Sequence, residues 1–313
     1  MFTLFNAKYR RIRARHDRPY QPVAGGLPVS SVVIPSVGAD YVEEALLSAT
    51  FAARYAPDLA EIVIVTDQSA AAFPALPAKT RVATLSDETR GGDYPYKQIF
   101  LSRLVKMQAP LQARTDGILM IDSDLNLLSM PHIALHDDHL YSSFRRGKMI
   151  DKLSGLAPEA VPAYYRDAVR PKLVDHVNGA FLAATRQTWL RMCPIWIAFF
   201  RDTWSRMAGS QPPTDQLPMA AMLDTLDIRT VNLGEWMNWP VAKRIGGTPS
   251  VIPPQVVGAH GGFPLSEWQK YLQSRETPLL FKPQTYTRKV RYLSDEERLA
   301  RAAAPHSRST GKI

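Results

Sequence analysis

Residues 117–129 read GILMIDSDLNLLS, an apolar run that ends in two carboxylates. The run Gly117–Ile121 is typical of an interior strand, and Asp122 and Asp124 follow it with Ser123 between them. An Asp-x-Asp triplet alone is weak evidence, since a chain of this length contains about one by chance. Ligands of open α/β sheets, however, bind beyond the carboxyl ends of the strands. There, two carboxylates can hold one Mg²⁺ or Mn²⁺ ion for phosphate oxygens, whereas a surface pair capping the next turn is the alternative.

Short strand-like runs alternate with longer helical runs on both sides of this stretch. The alternation predicts an α/β fold with a mostly parallel sheet flanked by helices and with the Asp-x-Asp triplet at a strand end. Residues 131–176 show no clear period, so we interpret them as a mixed, lid-like insertion. The expected strands are Val32–Pro35, Glu61–Thr66, Arg81–Leu85, Gly117–Ile121 and Val177–Ala184, and the expected helices are Tyr41–Tyr55, Tyr96–Leu111, Gln187–Arg206 and Asp215–Leu226, the last with Thr214 as its N-cap.

The net charge of +9 lies at the two ends of the chain. The first 18 residues hold six Lys/Arg and one Asp, residues 286–313 hold seven Lys/Arg and three Asp/Glu, and the remainder holds 25 of each sign. We therefore divide the chain into a basic N-terminal arm at 1–29, one α/β domain at 30–285 and a polar basic tail at 286–313. Because the basic residues do not belong to a folded face, we expect no nucleic-acid partner.

Cys193 is the one cysteine of the chain, which excludes an intrachain disulfide framework and a cysteine-rich zinc site. It lies in the apolar run Leu190–Phe200, so we expect a buried, inert thiol. No run of about 18 apolar residues marks a membrane span, and the N-terminus lacks the apolar core of a secretory signal. The expected location is therefore cytoplasmic.

The N-terminal arm has the pattern of a short amphipathic helix. In a helical projection Phe2, Phe5, Tyr9 and Ile12 share one face, while Lys and Arg residues occupy the others. This layout predicts peripheral contact with an anionic membrane surface, with the apolar side among the headgroups. The alternatives are an arm packed on its own domain and a disordered leader.

Further polar residues follow the first two expected strands or lie on the helix before the fourth. Ser36 and Asp40 follow the first strand and Asp67 follows the second, so all three should lie at the same edge of the sheet as the triplet. Lys97 and Arg103, on the helix, could neutralise phosphate, with a solvated helix face as the alternative.

Three later segments also carry polar residues at element ends. Asn178, followed by Gly179, opens the strand after the insertion. Asp215 and Gln216 open a helix, where backbone N–H groups can face a ligand. His260 stands between small residues after an apolar run, a position that suits a ligand better than a core histidine.

The ordered set of these pieces resembles the GT-A nucleotide-sugar glycosyltransferases, and most closely the retaining family-8 type. The resemblance covers roughly residues 30–265 and identifies the domain at 30–285 as a GT-A-like catalytic domain. Two departures are visible: Gly261-Gly262-Phe263-Pro264 stands where the family has Lys-Pro-Trp after its late histidine, and Asn-Gly replaces the commoner Asn-Ala-Gly. The motifs, in order, are ILMIDSDLNLLS, HVNGAFLAATRQTW, TDQLPMAAML, LGEWMNWP and VVGAHGG.

The resemblance implies a metal-dependent glycosyltransferase whose donor is a nucleotide-sugar, with UDP as the expected nucleotide, and whose acceptor is a carbohydrate or a lipid-linked hydroxyl. It implies that Asp122, Asp124 and His260 coordinate Mn²⁺ or Mg²⁺. It brings Ser36, Asp40 and Asp67 to the nucleotide and Asn178, Asp215 and Gln216 to the donor sugar. To these nucleotide- or sugar-binding residues we add Asp122, Ser123 and the phosphate candidates Lys97 and Arg103.

The expected chemistry is glycosyl transfer, and two stereochemical outcomes stay open. Retention, which we favour, places Gln216 on the face opposite the leaving group, whereas inversion would use Asp215 as the base. A sugar nucleotidyltransferase is an alternative, but it would need a glycine-rich basic loop where residues 35–41 read PSVGADY. A phosphatase would carry its Asp-x-Asp on the first strand. A nucleotide-sugar-binding protein without turnover stays open as well.

Overall fold

The computed structural model describes residues 20–85, 97–145, 176–207, 214–241, 252–261 and 265–273. The amphipathic helix predicted within the first 18 residues and the polar tail at 286–313 lie outside this part of the chain. So does most of the lid-like insertion, whose described part ends at Arg145 and resumes at His176.

The described residues form twelve strands and five α-helices. The strands are β1 (Leu27–Pro28), β2 (Ser31–Ser36), β3 (Glu61–Thr66), β4 (Thr80–Thr84), β5 (Gly117–Ile121), β6 (Leu125–Leu127), β7 (Ala134–Leu135), β8 (His139–Arg145), β9 (His176–Thr185), β10 (Arg229–Asn232), β11 (Trp239–Pro240) and β12 (Gly258–His260). The helices are α1 (Val42–Tyr55), α2 (Lys97–Gln108), α3 (Arg186–Met207), α4 (Gln216–Thr225) and α5 (Leu265–Gln273).

The main sheet has seven strands in the order β10-β8-β9-β5-β2-β3-β4. Six of them run in one direction, and β9 runs against its neighbours β5 and β8. The strands β2, β3 and β5 are buried along their whole length, as expected for central strands with helices on both faces. The prediction of a mostly parallel sheet flanked by helices is therefore confirmed.

Each face of the main sheet carries its own hydrophobic core, because successive strand residues point to opposite sides. Val33 of β2 packs in the core under α2, α3 and α4, while its neighbours Val32 and Ile34 pack in the core under α1. Cys193 lies fully buried in the first of these cores, as predicted, and burial raises the pKa of its thiol. None of the described helices is long and apolar enough to cross a membrane.

A small second sheet, β11-β12-β6, lies next to the carboxyl end of β5. Its strand β6 begins directly after Asp124 and pairs antiparallel with β12, which sets His260 opposite Leu125. Gly258 permits this packing, since a Cβ there would collide with the carbonyl oxygen of Met237. Strands of two or three residues leave no periodic pattern, and sequence analysis did not predict this sheet.

The predicted elements agree with the observed ones to within a few residues at most ends. The exception is the helix expected over Tyr96–Leu111, which ends at Gln108 and continues as a 3₁₀ turn over Ala109–Gln112. Pro110 accounts for the change, because proline has no N–H to donate to the preceding turn of an α-helix. The strands β1, β6, β7, β8, β10, β11 and β12 and the helix α5 were not predicted.

Candidate functional site

The Asp-x-Asp triplet forms a tight turn at the carboxyl end of β5. The amide of Asp122 donates to the carbonyl oxygen of Ala180 at 3.0 Å, and the amide of Leu125 donates back to the carbonyl oxygen of Asp122 at 3.0 Å. The hydroxyl of Ser123 donates to Oε1 of Glu44, on α1, at 2.6 Å. The backbone is thus held from two sides, and the carboxylates of Asp122 and Asp124 stay partly exposed.

Asp122, Asp124 and His260 come together at this turn, and we call them the ligand triad. Each offers one ligand atom, and these atoms lie within 4.8 Å of one another. Nε2 of His260 is 3.2 Å from Oδ1 of Asp124, and the amide of Gly261 donates to the carbonyl oxygen of Asp124 at 2.8 Å. Two carboxylates and an imidazole are a donor set that fits a divalent cation such as Mn²⁺. Their role as metal ligands stays a prediction.

The electrostatics of the triad keep Asp124 ionised. Burial by itself would raise the pKa of this carboxyl, but the hydrogen bond from His260 and the charges of His260 and Lys106 outweigh it. The pKa of Asp124 is therefore held below its ordinary value. A carboxylate that keeps its negative charge is the form that a hard cation binds.

A second group, which we call the Lys106 cluster, adjoins the triad and consists of Lys106, Arg103, Asp122 and Asp215. Nζ of Lys106 is 2.6 Å from Oδ1 of Asp122 and 3.4 Å from Oδ2 of Asp215. Nε of Arg103 is 3.9 Å from Oδ1 of Asp215. The Lys106 side chain is only 5% exposed, so this ammonium is surrounded by protein and by its two carboxylates.

Arg103 is a phosphate candidate on sequence grounds, whereas Lys106 is not among the residues that the sequence predicts for the site. Both residues lie on α2, three positions apart, and therefore share a face of that helix. The available signal was weak: a lysine between the apolar residues Val105 and Met107, with the polar residues Ser102 and Arg103 one turn earlier on the same face. Lys97, at the first residue of α2, takes no part in the Lys106 cluster among the described residues.

Asp215 lies immediately before α4, and its position is set by α3. The indole Nε1 of Trp196, which is fully buried in α3, donates to the carbonyl oxygen of Asp215 at 2.9 Å. The helix begins at Gln216, one residue later than predicted, and the hydroxyl of Thr214 accepts from the Gln216 amide at 3.4 Å. Burial would raise the pKa of Asp215, but the charges of Arg103 and Lys106 outweigh it and hold the pKa well below its usual range.

Asn178 and Gly179 lie on β9, and Gly179 is adjacent to the Lys106 cluster. Oδ1 of Asn178 accepts from the amide of Ala180 at 3.2 Å, and the Asn178 residue is buried. A Cβ at Gly179 would stand 3.3 Å from Nζ of Lys106 and 3.4 Å from Oδ2 of Asp215. The glycine therefore leaves room for the lysine and the carboxylate to meet.

The residues predicted after the first two strands lie at the carboxyl ends of β2 and β3. Oδ1 of Asp67 accepts from the amide of Gly38 at 2.9 Å, which fixes the loop after β2 in a conformation with φ of 95° at Gly38. The hydroxyl of Ser36 is buried and donates to the carbonyl oxygen of Tyr41 at 3.2 Å. Asp40 is exposed. Contact of Ser36, Asp40 and Asp67 with a nucleotide stays a prediction.

Comparison with known proteins agrees with this architecture at the level of the fold. No protein-family model matches the sequence, and no curated protein matches it. An active-site mutant of LgtC is similar in structure, with a TM-score of 0.50 and 12% sequence identity over 78% of this chain and 95% of that chain. A structure of the galactosyltransferase LgtC in complex with donor and acceptor sugar analogues matches with a TM-score of 0.48 and 12% identity, over 79% and 96% of the two chains. The chain therefore has a GT-A-type fold, as the sequence indicated.

Proposed function

We propose that this protein is a metal-dependent glycosyltransferase that moves a sugar from a nucleotide-diphosphate donor to an acceptor hydroxyl. The observation that carries the proposal is the ligand triad at the carboxyl edge of a GT-A-type sheet, where open α/β folds bind their ligands. We take UDP as the nucleotide because of the family resemblance of the five motifs. The acceptor is a carbohydrate or a lipid-linked hydroxyl.

The reaction makes the donor diphosphate a leaving group on which negative charge builds. Asp122, Asp124 and His260 would hold Mn²⁺ or Mg²⁺ here, and the bound cation would supply Lewis-acid stabilisation of that charge. Lys106 and Arg103 bring two further positive charges to the same edge of the sheet. Positive groups held in place before the reaction cost no reorganisation when the charge develops.

The electrostatics around Asp215 favour retention over inversion. An inverting enzyme needs a general base whose pKa lies near the working pH. Asp215 is a poor base, because Lys106 and Arg103 hold its pKa well below the usual range. We therefore assign Asp215 to binding of the donor sugar, as an acceptor of hydroxyl hydrogen bonds. Gln216, the next residue and likewise buried, is the group that we place against the reacting sugar.

The remaining predicted contacts divide between the nucleotide and the sugar. Ser36, Asp40 and Asp67 lie at the ends of β2 and β3, and we place the nucleoside there. Asn178 precedes Gly179, which is adjacent to the Lys106 cluster, and we assign Asn178 to the donor sugar. We assign Ser123 and Lys97 to the nucleotide as well.

We propose a cytoplasmic location with peripheral contact to anionic membrane through the basic N-terminal arm. Such contact would suit a lipid-linked acceptor. Sedimentation with anionic and zwitterionic vesicles tests it, with a variant that lacks residues 1–18 as the control. Equal sedimentation of the two chains would remove the membrane role.

Donor hydrolysis tests the main proposal. The purified protein is incubated with a panel of UDP-sugars in Mn²⁺, in Mg²⁺ and in a chelator, and release of UDP is followed. We expect turnover with one or a few donors that stops in the chelator, and NMR of the product then reads the anomeric configuration. Tight metal-dependent UDP-sugar binding without turnover, with or without added acceptors, would make the protein a binding protein instead. An inverted product would return Asp215 to the role of base.

A further inference from the structure

Within the Lys106 cluster, the ammonium of Lys106 forms an ion pair with Asp122, which also belongs to the ligand triad. Nζ of Lys106 is 2.6 Å from Oδ1 of Asp122, which is the distance of a charge-assisted hydrogen bond. Asp122 has no other side-chain partner among the described residues. At this distance the ammonium of Lys106 would compete with a metal cation for Asp122.

The surroundings of Lys106 show that this contact is built into the fold. The lysine side chain is 5% exposed, although lysine is almost never buried unless it is paired. Gly179 opens the space that its ammonium needs, and Asp215 offers a second carboxylate at 3.4 Å. Lysine is a compact charge on a flexible stem, so it can exchange one anionic partner for another at small cost.

We propose that Lys106 is a tethered cation that holds Asp122 in the metal-free protein and releases it when a divalent cation and a nucleoside diphosphate bind together. The proposal deepens the proposed function and rests on it, since it presupposes a cation on the ligand triad. A divalent cation that binds without a nucleotide must displace the ammonium of Lys106 from Asp122. It then stays close to that ammonium, which repels it. A diphosphate brings negative charge that offers the ammonium another partner.

The consequence is a coupling between metal binding and nucleotide binding beyond their direct contact. Nucleotide that draws Lys106 away from Asp122 makes the carboxylate available, so the metal binds with less competition. Linkage requires that the metal raise the affinity for the nucleotide by the same factor. Asp215 modulates this balance, because its Oδ2, 3.4 Å from Nζ of Lys106, offers the ammonium an alternative to Asp122.

The test is the binding of Mn²⁺ alone, followed by electron paramagnetic resonance, and its repetition with saturating UDP. Lys106→Met should bind Mn²⁺ alone at least about tenfold more tightly than the natural chain, because a positive charge a few ångströms away is gone. With UDP present, Lys106→Met should bind Mn²⁺ no more than about threefold more tightly than the natural chain. Lys270→Met, which removes an exposed lysine of α5, is the matched control and should leave both affinities unchanged.

Asp215→Asn supplies a second variant that nearly preserves side-chain shape. Lys106 then has Asp122 as its remaining carboxylate in the cluster, so Mn²⁺ alone should bind about threefold more weakly, with a smaller loss when UDP is present. A general disturbance of the site would weaken binding in both variants, whereas the proposal requires opposite signs. If Lys106→Met fails to fold, the Asp215→Asn measurements decide.

Three results overturn the proposal. The first is an unchanged or weaker affinity of Lys106→Met for Mn²⁺ alone, and the second is a gain in that variant's affinity of equal size with and without UDP. The third is an unchanged or tighter affinity of Asp215→Asn for Mn²⁺ alone. Failure of the proposed function looks different: the natural chain and both variants would then bind no Mn²⁺, with UDP or without it.

Discussion

Two clusters of charged side chains lie at opposite ends of the same sheet, and they differ in how completely they are closed. At the amino end, Glu61 begins β3 and uses both carboxylate oxygens: Oε1 accepts from the hydroxyl of Ser31 at 2.8 Å and from the amide of Arg114, and Oε2 accepts from Nε of Arg81 at 3.1 Å. At the carboxyl end, Asp122 pairs with Lys106 through Oδ1 alone among the described residues. We call the first group the Glu61 cluster.

The difference teaches which charged cluster stabilises the fold and which is available to a ligand. Every oxygen of Glu61 is satisfied by protein, so another cation would gain nothing there. The side chains of Asp122 and Asp124 are 29% and 36% exposed, and their open oxygens lie together. A carboxylate at a strand end therefore points to a binding site only when its fold leaves it partly unpaired. Substitutions in the ligand triad should therefore affect chemistry, and substitutions in the Glu61 cluster should affect stability.

The largest expected effect is on turnover, and it follows a substitution in the ligand triad. Asp124→Ala should lower metal-dependent donor turnover by about 10³-fold or more, because the cation that stabilises the leaving diphosphate loses a charged ligand. The melting temperature should change little. Asp58→Ala, which removes an exposed aspartate of the loop between α1 and β3, is the control. Unchanged affinity for UDP and Mn²⁺ in Asp124→Ala, measured by calorimetry, would contradict the metal site.

Gln216→Ala should lower kcat by about 10²-fold while the affinity for the donor changes by less than about threefold. We expect this division because a group that acts mainly in the transition state contributes little to binding of the ground state. Steady-state kinetics and calorimetry on the same preparation measure both quantities. Equal loss of kcat and of donor affinity would make Gln216 a binding residue only.

A substitution in the Glu61 cluster should change the stability of the fold. Glu61→Gln should lower the free energy of unfolding by about 2 kcal/mol, because the charge that pairs with Arg81 and accepts the buried hydrogen bonds is lost. Urea denaturation at neutral pH measures this, and donor affinity should stay within about twofold. A variant with natural stability but altered affinity would reverse the assignment of the two clusters.

The same variant has a defined pH dependence. Burial would raise the pKa of Glu61, but the hydrogen bonds from Arg114, Ser31 and Arg81 and the charge of Arg81 outweigh it, and the pKa is lowered. A lowered pKa stabilises the fold fully above the pKa of an unfolded glutamate, about 4.3, and this stabilisation is lost as pH falls through the lower folded value. The difference between the natural chain and Glu61→Gln should therefore be constant near neutral pH and shrink in acid. A difference that grows in acid would contradict the assignment.

The smallest expected effect is at the third triad residue. His260→Ala should weaken the affinity for Mn²⁺ in the presence of UDP by about tenfold, or about 1.4 kcal/mol, because one neutral ligand of several is lost. His139→Ala, which removes a histidine at the amino end of β8, is the control. If His260→Ala binds like the natural chain, His260 is a structural partner of Asp124.

The strands at whose ends the two clusters lie follow from local sequence pattern, but the partners of their carboxylates do not. The strands β3 and β5 were predicted with their observed bounds, since a continuous apolar run between polar residues is typical of a strand buried on both faces. Glu61 and Asp122 were thereby placed at the two ends of the sheet. Nothing in their neighbourhoods distinguishes the closed glutamate from the open aspartate, because the partners of both come from distant elements.

Sequence pattern predicted His260 without its partner, and it did not predict Lys106 at all. His260 was selected for its small neighbours, yet it meets Asp124 through pairing of β12 with β6, strands too short to leave a period. Lys106 was not selected, because a single lysine in a helix is most often solvated, and its burial depends on Gly179 and Asp215. Trp196, which holds the carbonyl oxygen of Asp215, gave no signal beyond that of a core aromatic residue.

The sequence by itself determined the central strands, the helices that cover them and the position of Asp122 and Asp124 at a carboxyl edge. Those features follow from the spacing of apolar residues, a local property that burial enforces wherever the chain packs. Only the tertiary structure decided which charges meet, namely that Lys106 reaches both Asp122 and Asp215 and that His260 reaches Asp124. The reason is physical: electrostatic pairing depends on distance in space and on desolvation, and both are set when separate elements of the chain pack together.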